Sequence, residues 1–573
     1  MIKEVNELVE TMDSMKRTIR SFLDISQAVA REENFDRLLP MLLTETLFAA
    51  DADAGVLYLI DNKSLIPAAL KRKDGIKLTV SLPQLPLDSV GSLLMAALRD
   101  GKPQAGELHS SDVDAAGLAG IATMVDAHYG LAVPLLNRHK QLLGAIMLMR
   151  QTPTEDEQIS FVAALSSSAA SSLETRELIK AQKELFEAFI QLIAGAIDAK
   201  SPYTGGHCTR VPELTKMLAK AACDDKSKIF DGFSLTDQEV EAVHIASWLH
   251  DCGKIITPEY VVDKSTKLET IYDRIHEVRT RFEVLKRDAE IAYLKSLAGG
   301  EDKSAASIRL ATELEQLDSD FAFIASCNEG GEFMAPEKLE RLNKIASRSW
   351  LRTLDDRIGI SHEEKERKSL SPVPILPVVE PLLANKPEHL FSRSKKEQMP
   401  QDNKWGFRMM PPELLYNKGE IYNLSVTRGT LSEEERYKIN EHTIQTFIML
   451  SELPFPKHLR QVPEIACGHH EKMDGSGYPK GLTKDEIGPV ARMMVISDIF
   501  EALTAVDRPY KKGKTLTEAI KIMSFMKKDH HIDPDLFDLF LRSGVYLEYA
   551  RKFMKPEQID EVNIKEYLSR DEA

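Results

Sequence analysis

The segment HHEKMDGSGYP, residues 469–479, restricts the fold more than any other stretch of this chain. Gly475, Gly477 and Pro479 exclude both helix and strand from its second half. Its first half sets His469 and His470 directly after VPEIACG, an apolar turn that reads as helix. Adjacent imidazoles beside apolar sequence are costly to bury unless each finds a partner. Either the pair lies at the surface, or the fold gathers other polar groups around it.

Groups of the right kind occur elsewhere. LHDCGK, residues 249–254, follows a helical pattern from about 238 that puts Val240, Val243 and Ser247 on one stripe, with His250 next along it. His250 and Asp251 then emerge at the inner end of that helix. VARMMVISDIFEALT places Asp498 inside an apolar helix, where a lone carboxylate needs a counter-charge or a metal. His207 and His442 are further candidates. Read singly, each is a weak signal. Together they form the inventory of a two-metal hydrolytic site. Imidazole plus carboxylate suits iron, manganese or zinc rather than calcium or a thiolate-bound metal.

At 573 residues, two to four domains are expected. A net charge of −15 disfavours DNA and anionic membranes as partners, although a local basic pocket can still take a small anion. No apolar run approaches the roughly 18 residues of a membrane-spanning helix. The start, MIKEVNELVETMDSMKRTIR, lacks the apolar core of a secretory signal. Five scattered cysteines without a CxxC pair point to free thiols in a reducing cytoplasm.

Residues 18–170 read as a mixed α/β unit, preceded by a helix over 1–17. Strand patterns cover 54–61, 129–137 and 141–150, the last two forming a hairpin across RHK. Helical periodicity then runs for about 40 residues, with Leu173, Leu178, Leu185, Phe189 and Leu192 at spacings that suit a connecting helix or a dimeric coiled coil. Within 201–555, the stretch from about 265 to 425 differs from its surroundings. It holds charged helices over 271–297 and 305–320, then the Pro-rich SPVPILPVVEPLLANKP, which reads as an extended connection, and an irregular polar run to about 420. Helical patterning resumes at LSEEERYKINEH, and residues 556–573 form a tail.

LHDCGK, HHEKMDGSGYP and ISDIFEALTAVDRPYK, in this order, resemble the HD-GYP subgroup of the HD phosphohydrolase superfamily over about 196–265 and 425–555. The resemblance implies an all-helical domain, here with a large insertion. It implies hydrolysis of cyclic di-GMP, to linear pGpG or on to GMP, at a centre of two or three metals, usually iron or manganese. Carried over residue by residue, His207, His250, Asp251, His469, His470 and Asp498 would hold metal, with Asp251 bridging. Lys254 would face the scissile phosphate, Gly477, Tyr478 and Pro479 would shape the nucleotide pocket, and Arg508 and Lys511 would bind phosphate. One further ligand histidine is expected, for which His276 and His442 compete. The capped helix start TLSEEE and the apolar continuation favour His442, which makes 265–425 the insertion. Tyr203 stands where members with a third metal carry an acid, so two divalent ions are expected.

GLAVPLLNRHKQLLGAIML is similar to GAF domains, which implies a sensory α/β unit followed by a connecting helix over 171–200. Its ligand is open, and it could serve dimerisation alone. Residues 1–207 contain no cysteine, which excludes covalent bilin attachment, and His109, His128 and His139 are either haem ligands or loop residues. The expected whole is a cytoplasmic, homodimeric, GAF-regulated cyclic di-GMP phosphodiesterase that neither binds DNA nor inserts in a membrane. The competing readings are a cyclic-dinucleotide receptor or scaffold with little turnover, and an HD-type phosphohydrolase acting on dNTP or ppGpp.

Overall fold

The computed structural model describes residues 35–569 apart from 62, 77, 79, 88–91, 201–205, 332, 400–402 and 507–512. The helix expected over 1–17 lies outside the described residues, as do Tyr203, Arg508 and Lys511. The chain divides into two compact units, Met1–Glu187 and Ala188–Ala573.

The first unit is built on a six-stranded antiparallel sheet in the order β3-β2-β1-β6-β5-β4. Helix α1 (Phe35–Ala49) precedes β1 (Ala54–Asp61), β2 (Ser64–Arg72) and β3 (Leu85–Pro86). Helix α2 (Ser92–Asp100) leads to β4 (Gln104–Glu107), and the hairpin of β5 (Tyr129–Leu136) and β6 (Leu142–Arg150) follows. Side chains alternate across the pleat. Leu57, Ile146 and Leu148 face Leu38, Leu42 and Leu47 of α1, whereas Val56, Tyr58 and Met147 face Leu94, Leu118 and Ile121. Strands β1, β5 and β6 are legible as apolar runs. The run SLIPAALKR of β2 is interrupted by a proline and ends in charge, and QAGE of β4 has no apolar alternation, so neither stands out. His109, His128 and His139 are exposed.

Helix α3 runs without a break over 45 residues, Asp156–Lys200. The division between units falls within it at Glu187.

The second unit is helical around the site. Its elements include α4 (His207–Asp224), α5 (Asp237–Leu249), α6 (Ile275–Ala298), α7 (Lys303–Glu329), α8 (Glu433–Ser451), α9 (Val462–Cys467) and α10 (Pro489–Thr504). Thr236 and Glu239 form a capping box at the start of α5, and Ser432 and Glu435 form another at α8. One core packs Leu214 and Leu218 of α4 with Ile496 and Phe500 of α10. A second joins Val211, Ile245, Leu249, Leu450, Val462 and Met494 to Ile190, Ala194 and Ile197 of α3.

The stretch 265–425 has a core of its own, and its Pro-rich part is not wholly an extended connection. Leu268, Val278, Phe282, Leu317, Ile324 and Leu342 share a core. Part of the Pro-rich stretch, Val378–Pro381, pairs as an antiparallel strand with Ser349–Arg352, which its prolines conceal in the sequence. The two ends of the excursion meet. Lys264 forms a buried ion pair with Glu435 at 2.7 Å, Thr430 Oγ1 donates to the Lys264 carbonyl at 3.0 Å, and Lys267 Nζ donates to the carbonyls of Leu424 and Val426.

Closing the excursion brings α8 against the turn after α5. The Gly253 N–H donates to Thr446 Oγ1 at 2.9 Å, and Thr446 Oγ1 donates to the His250 carbonyl at 3.1 Å. A Cβ at Gly253 would overlap the His442 carbonyl oxygen and the Thr446 amide nitrogen. Gly253→Ala is therefore expected to lower stability by about 1–3 kcal/mol, the usual cost of overpacking, measured as a shift in the denaturant midpoint. An unchanged midpoint would contradict this packing.

Candidate metal centre

Three histidines are held in the same way. His250 follows the last turn of α5, His442 lies in the middle of α8, and His469 follows α9; all three are buried. Each sets Nδ1 against the backbone carbonyl three residues earlier: Ser247 at 2.7 Å, Ile439 at 2.6 Å and Ala466 at 2.6 Å. A carbonyl only accepts, so Nδ1 carries the proton and Nε2 keeps its lone pair. His207, in the first turn of α4, donates Nδ1–H to Glu501 Oε2 at 2.5 Å, which fixes the orientation of its ring. The four Nε2 atoms are buried and have no hydrogen-bond partner, and neither has Asp251 Oδ1.

These atoms face one another. Asp251 Oδ1 lies 3.3 Å from His442 Nε2 and 3.9 Å from His469 Nε2. Its Oδ2 lies 3.3 Å from His250 Nε2 and 3.4 Å from His207 Nε2. Asp498 Oδ1, on α10, is 3.3 Å from His207 Nε2. His442, His469 and His470 form one group whose ligand atoms lie within 4.8 Å of each other, and His207, His250 and Asp498 form another. Asp251 presents one oxygen to each side. Imidazole nitrogens without a hydrogen-bond partner converge here with carboxylate oxygens, a donor set that fits bound metal.

Residues 377–536 match the family described as "HD domain". The chain carries an HD domain. His442, His469, His470 and Asp498 fall inside the matched span, whereas His207, His250 and Asp251 precede it and join the site through the fold. Similar curated proteins include a cyclic di-GMP phosphodiesterase of Pseudomonas aeruginosa, 42% identical over 86 residues (15% of this chain, 20% of that protein). A 3'3'-cGAMP-specific phosphodiesterase of Vibrio cholerae is 36% identical over 116 residues (20% of this chain, 26% of that protein). A cyclic di-GMP phosphodiesterase of Thermotoga maritima is 36% identical over 114 residues (20% and 30%). The chain thus spans less than a third of the length of these three relatives. Among solved structures, the GAF domain of an Acinetobacter phosphoenolpyruvate-protein phosphotransferase is 17% identical, covers 29% of this chain and 97% of its own, and has a TM-score of 0.24.

Charge in the HD domain is finely balanced. Burial disfavours the Asp251 carboxylate, but Lys254 and His250 outweigh burial and hold it well below the usual carboxylate range. Burial pushes His469 down to about 3, helped by His250, and pushes His470 far down as well, so both are neutral at physiological pH. At His207 burial opposes the cation, yet Glu501, Asp251 and Asp498 outweigh it and raise the proton affinity of the ring. The carboxylates that favour a proton there also favour a metal ion. Lys254, assigned to the phosphate by resemblance, places Nζ 2.5 Å from Asp251 Oδ2.

The Gly-Tyr-Pro turn forms one edge of the site. The Tyr478 ring stacks on His470 at 4.8 Å and 19°. A Cβ at Gly477 would overlap Lys472 N and Glu471 Cα, so only glycine allows the chain to fold back this tightly. Buried Glu471 accepts from the N–H groups of Lys480 (2.7 Å), Gly481 (3.2 Å) and Leu482 (2.9 Å). His276 lies apart, exposed on α6 with Arg279 at 2.7 Å.

Sequence reasoning missed the groups that orient the candidate ligands. Glu501 fixes His207 and is itself held by Arg210 at 2.7 Å. It sits three residues after Asp498, on the same helical face, and that spacing was an available signal. Glu471, read only as an acid beside the histidines, is the anchor of the turn. The contacts of Thr446 cross the excursion and leave no local trace.

Three outcomes are expected. His442→Ala sharply lowers metal occupancy, whereas His276→Ala changes stability by no more than about 0.5 kcal/mol and leaves occupancy intact, as read by elemental analysis and denaturation. Glu501→Gln weakens metal affinity by about 10–100-fold, the usual effect of losing a ligand's orienting partner. Because metal must displace the proton that His207 holds above its ordinary pKa, affinity falls as pH drops below that raised value, and calorimetry in buffers of different ionisation heat shows proton release on binding.

Proposed function

We propose that this protein hydrolyses cyclic di-GMP in a metal-dependent reaction, with its N-terminal unit acting as a regulatory domain. The convergence of seven ligand-type side chains, with Asp251 facing both groups, carries this reading. The names of the similar proteins direct it to cyclic dinucleotides. Two divalent ions, iron or manganese, held by His207, His250 and Asp498 on one side and His442, His469 and His470 on the other, with Asp251 between, would supply a nucleophile from water at neutral pH and neutralise phosphoryl charge. Lys254, paired with Asp251, would face the scissile phosphate and stabilise its charge. Tyr478 offers its stacked ring to a base, and Arg508 and Lys511 would clamp the second phosphate. The product is linear pGpG, or GMP after a second cut.

Regulation has a structural route at the end of α3. Asp198 accepts from the Gly206 N–H at 3.0 Å, directly before His207, and Lys200 donates to the carbonyls of Lys254 (3.2 Å) and Ile255. A shift of α3 would therefore move both ligand-bearing turns. Further up α3, Leu178, Leu185, Phe189 and Leu192 are 64%, 58%, 52% and 66% exposed. The seven-residue spacing of Leu178, Leu185 and Leu192, with Phe189 between the last two, supports pairing with α3 of a second copy. Among the described residues no helix is long and apolar enough to cross a membrane, and all five cysteines are free, which supports a cytoplasmic setting.

A second reading, hydrolysis of 3'3'-cGAMP, draws on the Vibrio relatives so named. Anaerobically purified, metal-loaded protein should be assayed with both nucleotides. Cyclic di-GMP is expected to be the better substrate, and Asp251→Asn should lower turnover by more than about 100-fold, beyond what loss of an orienting group costs. Tight binding without turnover would leave a receptor instead. Leu185→Glu should shift a dimeric mass to a monomeric one in light scattering; a wild-type monomer across micromolar concentrations would refute the pairing.

A further inference from the structure

Residues 403–410, late in the stretch 265–425 and inside the span matched to the HD domain, pack against the Gly-Tyr-Pro turn. This limb is a closed loop. Asn403 Nδ2 donates to the Phe407 carbonyl at 2.6 Å, the Phe407 N–H donates back to Asn403 Oδ1 at 3.1 Å, and the Trp405 ring stacks near Phe407 at 5.9 Å. Phe407 is buried against Ile444 and Phe447 of α8 and against Cys467, the last residue of α9. It thus bears on the two helices that set His442 and His469. The next two residues hold the turn itself. The Arg408 and Met409 N–H groups donate to the Pro479 carbonyl at 2.8 and 3.2 Å, and Arg408 donates through its guanidinium to the Gly481 carbonyl at 3.1 Å. Pro479 follows Tyr478, whose ring stacks on His470.

We propose that the limb over 403–410 serves the nucleotide pocket directly, and that Arg408 is a positioning residue that holds the Gly-Tyr-Pro turn, and with it Tyr478, in place for substrate. The turn is then gripped from two sides. Glu471 holds the amides of residues 480–482 from within, and the limb holds the carbonyls of Pro479 and Gly481 from outside. Arg408 reaches a carbonyl with a planar, multi-donor group that lysine only partly replaces. Its side chain is exposed, so its loss leaves the cores intact. The role in substrate binding rests on the cyclic-dinucleotide reading above, whereas the grip on the turn does not.

The test compares full-length wild type with Arg408→Ala, Arg408→Lys and, as a control on the same limb, Met410→Ser. Two readouts are needed: steady-state hydrolysis of cyclic di-GMP, and hydrogen exchange at the amides of Tyr478 and residues 480–482. Arg408→Ala should raise KM about tenfold with kcat within about twofold and metal content unchanged, the pattern of lost binding rather than lost chemistry. Exchange in the turn should quicken several-fold while that of α4 and α8 stays at the wild-type rate. Arg408→Lys should fall between, and Met410→Ser should match wild type. Unaltered KM and unaltered exchange in Arg408→Ala would overturn the proposal. If wild type hydrolyses no cyclic dinucleotide, the substrate reading fails, and the exchange data alone decide whether the limb grips the turn.

Discussion

A buried histidine must satisfy one ring nitrogen to leave the other free, and three histidines of this site do so in the same way. Each donates Nδ1–H to the carbonyl one turn back, a partner supplied by the helix or turn that carries the residue. The arrangement needs no additional side chain and fixes ring orientation as strictly as backbone geometry does. Its cost is a set of lone pairs with nowhere to go, and burying such atoms is unfavourable unless something replaces the lost water. The site is therefore tolerable to the fold because of what it can bind. His207 departs from the pattern, being fixed by Glu501 and Arg210, so its orientation depends on α10 and on its own helix together.

The same economy appears in how distant segments meet. Gly253 lets the turn after His250 lie against the backbone of α8, and Thr446 joins the two through one hydroxyl. The long excursion between them is closed at its base by Lys264 and Glu435, and their buried charges are satisfied by each other and by Asn423. Replacing one partner would leave an uncompensated charge, a far larger penalty than the pair itself offsets.

Much of this was legible in the residues, for identifiable reasons. Ligand-type side chains beside apolar runs are improbable as simple core, so His250, Asp251, His469, His470 and Asp498 stood out. Apolar alternation revealed β1, β5 and β6. The proline and terminal charge of β2 and the small size of β4 hid those strands, because their burial comes from neighbours rather than from their own pattern. The Pro-rich stretch misled for a related reason: proline argues against regular structure locally, whereas Val378–Pro381 is an edge strand that needs few of its own donors. Glu501 and Thr446 escaped notice because their importance is defined by partners 294 and 196 residues away.

That last separation bears on how the molecule comes to be folded. The link between Thr446 and His250 closes a chain segment of 196 residues, and in an unfolded chain such closure carries a large entropic penalty that grows only slowly with further length. A body whose two ends are already pinned together shortens the effective loop to a few residues. The excursion, with its own core around Phe282 and Leu317, can collapse first and deliver α8 to the waiting turn. Its antiparallel helices α6 and α7 supply mostly local contacts, the kind that form early. On a growing chain, His207, His250 and Asp251 emerge long before His442, His469, His470 and Asp498.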